Sequence, residues 1–103
     1  MIRKISKAND GDEIEFWGNG EPLRQQLYVD DLAKMIPVLL DKHNTDSPII
    51  VAPNENLSIK EMIDCCVRIS GKKIKLFFNG NLSGQYRKDG SNKKLLEIIG
   101  NFD

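Results

Sequence analysis

Few side chains in this sequence have the type and spacing that covalent chemistry requires. Cys65 and Cys66 are adjacent and are the only cysteines, which makes no disulfide framework, since neighbouring cysteines seldom bridge each other. A metal site or a thiolate–imidazole pair would need histidine close by, and the single histidine, His43, lies in a distant polar segment, Lys42-His43-Asn44-Thr45-Asp46. The two thiols therefore read as buried small hydrophobes on a helix in a reducing cytosol, and His43 as a solvated loop residue. Counting alone does not exclude a Ser/His/Asp set. A tyrosine proton donor paired with lysine one helical turn on is absent, because Tyr28 is followed at that spacing by Leu32 and Tyr86 by Gly90. Gly18 and Gly20 begin a glycine-rich turn, but Leu23 stands where a dinucleotide-binding fingerprint places its third glycine. No catalytic, cofactor-binding or metal-ligating residue emerges. Two stretches remain that are hard to explain as scaffold: Trp17-Gly18-Asn19-Gly20-Glu21-Pro22-Leu23-Arg24, running to Val29-Asp30-Asp31, and Ser83-Gly84-Gln85-Tyr86-Arg87-Lys88-Asp89-Gly90-Ser91-Asn92-Lys93-Lys94-Leu95.

The elements that must hold these stretches follow from periodicity. Glu13 to Trp17 alternates, with Ile14 and Phe16 on one face, and reads as a half-buried strand ending in the glycine-proline turn. Asp30 and Asp31 suit the positive end of a helix and either can cap it; Leu32, Met35, Ile36, Leu39 and Leu40 form its apolar stripe. Pro37 falls inside that helix and predicts a kink. The run Pro48 to Pro53 is apolar and short, which predicts a buried strand. Ser58-Ile59-Lys60-Glu61 is a capping box opening a helix with the stripe Ile59, Met62, Ile63, Cys66 and Val67, which Gly71 closes. Lys73 to Phe78 alternates as a strand, a polar loop spans Asn79 to Gly90, and Ser91 caps a last helix carrying Leu95, Leu96, Ile98 and Ile99. Strands alternating with helices indicate an α/β fold, here one domain without an internal linker.

Composition narrows the function classes. The 103 residues carry 15 basic and 15 acidic side chains, so no basic excess exists to drive nucleic-acid or membrane-surface binding. No apolar run approaches the ~20 residues that cross a bilayer, and Met1 to Ala8 lacks the apolar core of a secretory signal.

The two stretches resemble the carboxy-terminal, substrate-binding part of nucleotide-sugar epimerases and reductases in the NAD-dependent epimerase/dehydratase family of the extended short-chain dehydrogenase/reductase superfamily. That family carries a Trp-Gly-x-Gly-x-Pro-x-Arg segment leading into a Val-Asp-Asp helix start, and the pattern from Trp17 to Asp31 matches it. A loop of Asp-Gly-Gln-aromatic-basic-Lys followed by Ser-Asn and a Lys-Leu helix marks the GDP-L-fucose synthase branch, the GDP-4-keto-6-deoxy-D-mannose epimerase/reductases. The stretch from Ser83 to Leu95 is similar to it, and the helix start at Leu57 to Glu61 matches in between.

The resemblance implies a small sheet with flanking helices, the C-terminal lobe of such an enzyme over residues 1–103, without its Rossmann domain. It implies substrate contacts from Trp17, Arg24 and Lys88 to a GDP-sugar, GDP-4-keto-6-deoxymannose or GDP-L-fucose. The chemistry is consistent: an arginine fork engages pyrophosphate oxygens bidentately, a lysine adds a point charge, and an indole offers an apolar wall and one N–H. On the residues alone, Trp17 also suits a core position, Arg24 a salt bridge to Glu21 or Asp30, and Lys88 a solvated charged face with Arg87, Lys93 and Lys94. The family's NADP-binding glycine turn, catalytic serine and Tyr-x-x-x-Lys pair belong to a Rossmann domain not represented in these residues. The expectation is therefore a fragment, incapable of catalysis alone, of a cytoplasmic NADP-dependent enzyme. Its partners would be the missing Rossmann half or a second copy in a homodimer. Two departures bear on the sugar: Ser83 stands where the family has aspartate, and Phe78 where an aspartate commonly ends the strand. Another nucleotide-sugar epimerase or dehydratase, or a stand-alone non-catalytic sugar-nucleotide binding module, are the alternatives.

Overall fold

The computed structural model describes residues 1–80 and 84–100. In chain order the elements are α1 (Ile2–Lys7), β1 (Glu13–Phe16), β2 (Leu23–Arg24), α2 (Val29–Lys42), β3 (Leu57–Ser58), α3 (Ile59–Ser70), β4 (Lys75–Phe78), β5 (Arg87–Lys88) and α4 (Lys93–Ile99). They form two compact units: one from Met1–Arg24 with Leu57–Lys88, the other from Gln25–Asn56 with the chain from Asp89 onward.

The first unit contains both sheets. β1 and β4 pair in parallel, in register from Glu13↔Lys75 to Phe16↔Phe78. The alternation read in the sequence holds, with Ile14 and Phe16 buried while Glu13 and Glu15 face solvent. They join Ile5, Ala8 and Ile63 in the core, with Ile59, Cys66, Val67, Leu76 and Phe78 packed around it. The Cys65 and Cys66 thiols are free and half-buried, less enclosed than the sequence reading placed them. β4 is shorter than the alternation from Lys73 suggested. The Lys73 amide donates to Asp10 Oδ1 and its carbonyl accepts from the Gly11 amide, so the 10–11 turn occupies the groups a longer ladder would use.

Helix α3 begins as its sequence dictates. The Ser58 hydroxyl accepts from the Glu61 amide at 3.0 Å, and the Glu61 carboxylate accepts from the Ser58 amide at 2.7 Å. It ends at Gly71, whose φ of 70° is the left-handed conformation a helix terminus favours. Helix α1 lay unrecognised in the sequence, being short. The Lys72 ammonium donates to the carbonyls of Ile5 and Ser6 near its C-terminus, where the last carbonyls of a helix have no partner on a following turn; that of Ile5 also accepts from the Ala8 amide.

In the second unit α2 runs from Val29 through Pro37 to Lys42. Asp30 and Asp31 sit in its first turn, where the dipole favours them, but neither caps: the N-cap is Tyr28, with no side-chain cap bond. Met35 of α2 and Leu95 of α4 are buried, Leu95 completely. The expected strand at Pro48–Pro53 does not form; this run joins no ladder among the described residues. Its carbonyls are taken by side chains instead: Asn92 Nδ2 donates to Ala52 at 3.0 Å and Gln25 Nε2 to Pro53 at 3.0 Å. The two bracketing prolines have no N–H to give a neighbouring strand. The cap of α4 also moves by one residue, from Ser91 to Asn92. Among the described residues no helix is long and apolar enough to cross a membrane. The fold is mixed α/β, with a parallel pair, a mixed three-stranded sheet and helices, as the resemblance implied.

Candidate functional site

The glycine-proline turn after β1 closes over the start of α3. The Lys60 amide donates to the Gly20 carbonyl and the Ile59 amide to the Pro22 carbonyl, both at 2.9 Å. With the Glu61 amide held by Ser58, the first three amides of α3 are all satisfied. An unsatisfied helix N-terminus is an anion cradle, and this one has no amide left to offer. The residues around Gly18 and Gly20 therefore do not fit a dinucleotide pyrophosphate; the glycines here serve the turn. Gly20 has φ 76°, and a Cβ on it would lie 2.9 Å from Phe78 Cζ and 3.0 Å from Lys60 Cβ. Phe78, a departure from the family pattern, is thus a packing residue under the turn, its ring centroid 5.9 Å from that of Phe16. Ser83, the other departure, lies outside the described residues.

This turn projects Trp17 outward. The indole is 70% exposed, which removes the core reading left open by sequence. Trp17 lines a cavity of about 180 Å³ together with Gly18, Gly20, Pro22, Arg24, Ile59 and Gly84. Arg24 reaches this cavity from β2. Its Nη1 donates to the carbonyl of Leu23 at 2.7 Å, and its Nη2 lies 3.6 Å from where a Cβ on Gly84 would stand. Among the described residues most of the guanidinium's donors are therefore uncommitted, and Arg24 has no ion pair to Glu21, Asp30 or any other carboxylate.

Lys88 does not line that cavity. The sheet nevertheless brings it to Arg24. In the order β3-β2-β5, β2 pairs in parallel with β5, and Arg24 is the register partner of Lys88. Partnered residues of adjacent strands share a face about 4.8 Å apart. Two cations directly opposite each other repel, and among the described residues Lys88, like Arg24, has no ion-pair partner. A doubly charged anion placed over the pair would turn that repulsion into two attractions. All three residues named from the sequence thus lie in the first unit, Trp17 and Arg24 around one cavity and Lys88 beside Arg24. Ile59 and Gly84 were missed as lining residues. Ile59 sits within the legible capping box and Gly84 within the legible loop, but neither side-chain type signals a ligand.

A small cleft thus lies beside a cationic strand pair on a mixed α/β frame. The chain belongs to the NAD dependent epimerase/dehydratase family, whose model matches residues 1–52. Its similarity extends to the GDP-L-fucose synthase of Dictyostelium discoideum, 32% identical over 96% of this chain and 32% of the relative. GDP-L-fucose synthase 1 of Arabidopsis thaliana is 31% identical over 89% of this chain and 27% of the relative. Among solved structures, a GDP-L-fucose synthetase from Naegleria fowleri bound to NADP superposes with a TM-score of 0.88, at 27% identity, over 99% of this chain and 33% of that one. The chain spans roughly a quarter to a third of the length of these relatives.

Proposed function

We propose that this chain binds a GDP-sugar as the substrate-binding part of a GDP-L-fucose synthase-like, NADP-dependent epimerase/reductase. The observation that carries the reading is the register pairing of Arg24 with Lys88 beside the cavity that Trp17 walls. The pyrophosphate would lie across the two cations, with Arg24 forking two oxygens and Lys88 balancing charge. The hexose would lie against the exposed Trp17 indole, an apolar surface with one N–H at its edge. In this reading the chain holds and orients the sugar nucleotide. NADP, when bound, supplies or accepts hydride in the whole family enzyme. Purified alone, the chain binds but does not turn over.

Trp17 is the only tryptophan, so its fluorescence reports occupancy directly. GDP-L-fucose and GDP should quench it saturably, with UDP-glucose weaker. A charge-assisted hydrogen bond is worth roughly 1.5–3 kcal/mol. Arg24→Ala should therefore weaken GDP binding about 10- to 100-fold, and Lys88→Ala should act in the same direction. Absence of saturable quenching by GDP-L-fucose at millimolar concentration, or unaltered affinity in both variants, refutes the assignment.

A further inference from the structure

We infer that Asn79 is the positioning residue that aims Trp17 at the ligand, an assignment that rests on the proposed role of Trp17. The last register pair of the parallel ladder is Phe16↔Phe78. Beyond it the strand end would fray, because nothing in the ladder holds the next residue. Asn79 supplies that hold on both sides of Trp17. Its amide donates to the Phe16 carbonyl at 3.0 Å, and its Oδ1 accepts from the Gly18 amide at 3.3 Å. Its Nδ2 donates to Glu15 Oε1 at 2.7 Å, and the adjoining Gly80 amide donates to the Gly18 carbonyl at 2.9 Å.

The orientation of this side-chain amide is dictated by its partners. A backbone N–H needs the oxygen and a carboxylate needs the nitrogen, so only one of the two flips satisfies both. The residues before and after Trp17 are thus pinned to a single residue, Phe16 by the Asn79 backbone amide and Gly18 by its side chain, while the indole between them has little packing of its own. An exposed side chain takes its direction from its backbone when no core fixes it. Holding that backbone also removes part of the ordering cost from ligand binding.

The test reads Trp17 by time-resolved fluorescence anisotropy, without ligand and then with GDP-L-fucose. Asn79→Ala should at least double the amplitude of fast local depolarisation and raise the Kd for GDP-L-fucose about fivefold, the scale of one ordinary hydrogen bond. Asn79→Asp combined with Glu15→Gln exchanges donor and acceptor between the two side chains and keeps an acceptor for the Gly18 amide. It should return both readings to within about twofold of the parent, a rescue that general destabilisation would not produce. Glu15→Ala cuts one bond only and should give a smaller change in the same direction; it carries the test should Asn79→Ala fail to fold. Unchanged local depolarisation in the variants, or failure of the exchanged pair to restore it, overturns the role of Asn79. Trp17→Ala separates the two readings. If it leaves Kd unaltered, the proposed ligand contact fails, while the ligand-free anisotropy still decides on Asn79.

Discussion

Replacing Gly20 by alanine should be far more damaging than the same change at Gly71, although both glycines have a positive φ. At Gly71 (φ 70°) an added Cβ meets nothing within 4 Å, so the cost is the left-handed backbone alone, about 1 kcal/mol. At Gly20 (φ 76°) the same backbone cost applies, and the Cβ would lie 2.9 Å from Phe78 Cζ and 3.0 Å from Lys60 Cβ. Lys60 Cβ is fixed to the first turn of α3, and the Phe78 ring is wedged against Phe16. Neither can withdraw without shifting the core, and overpacking of this kind costs about 1–3 kcal/mol. The sum is about 2–4 kcal/mol, a large share of the ~5–15 kcal/mol that holds a domain folded. In a thermal melt followed by circular dichroism, Gly20→Ala should lower Tm by roughly 10–20 °C and Gly71→Ala by roughly 5 °C. Because Ile59 and Lys60 amides hang on this turn, Gly20→Ala should also loosen Trp17 and weaken GDP binding, whereas Gly71→Ala should not. Equal Tm losses in the two variants would mean that Phe78 and Lys60 yield freely and that the close approach at Gly20 is not a structural constraint.

Leu95 is fully buried in the second unit, so Leu95→Ala should cost about 2–5 kcal/mol, measured as a fall in urea midpoint at unchanged slope. Ser58→Ala removes the acceptor for the Glu61 amide and should destabilise by about 1 kcal/mol in the same assay, with Ser58→Asn recovering most of it. Ile2 and Ile69 are 72% and 78% exposed, and both line an apolar groove between α1 and α3. Light scattering over a concentration series should therefore show self-association, reduced by Ile69→Lys; a monomer mass throughout, with negligible hydrophobic-dye binding, would refute this.

Local signals carried much of the fold. The capping box at Ser58 and Glu61, the left-handed stop at Gly71 and the alternation through Ile14 and Phe16 are each settled by neighbours within a few residues. So is the use of Trp17, Arg24 and Lys88 as candidates, through motifs written contiguously in the chain. Where local chemistry was ambiguous, long-range partners decided. Pro48–Pro53 has a strand's composition, yet side chains of Gln25 and Asn92 reach its carbonyls first. The loop from Asn79 to Gly90 reads as polar connection, yet Arg87 and Lys88 become a strand because β2 offers them an edge. The pairing of Arg24 with Lys88 is the most consequential of these. A sequence states that both are cations, but their separation is a property of register, and register is set by which backbone groups find each other across the sheet. Trp17 shows the same division: its type was legible, while its outward direction depends on Asn79, whose hydrogen bonds reach 61 and 64 positions along the chain to Gly18 and Glu15.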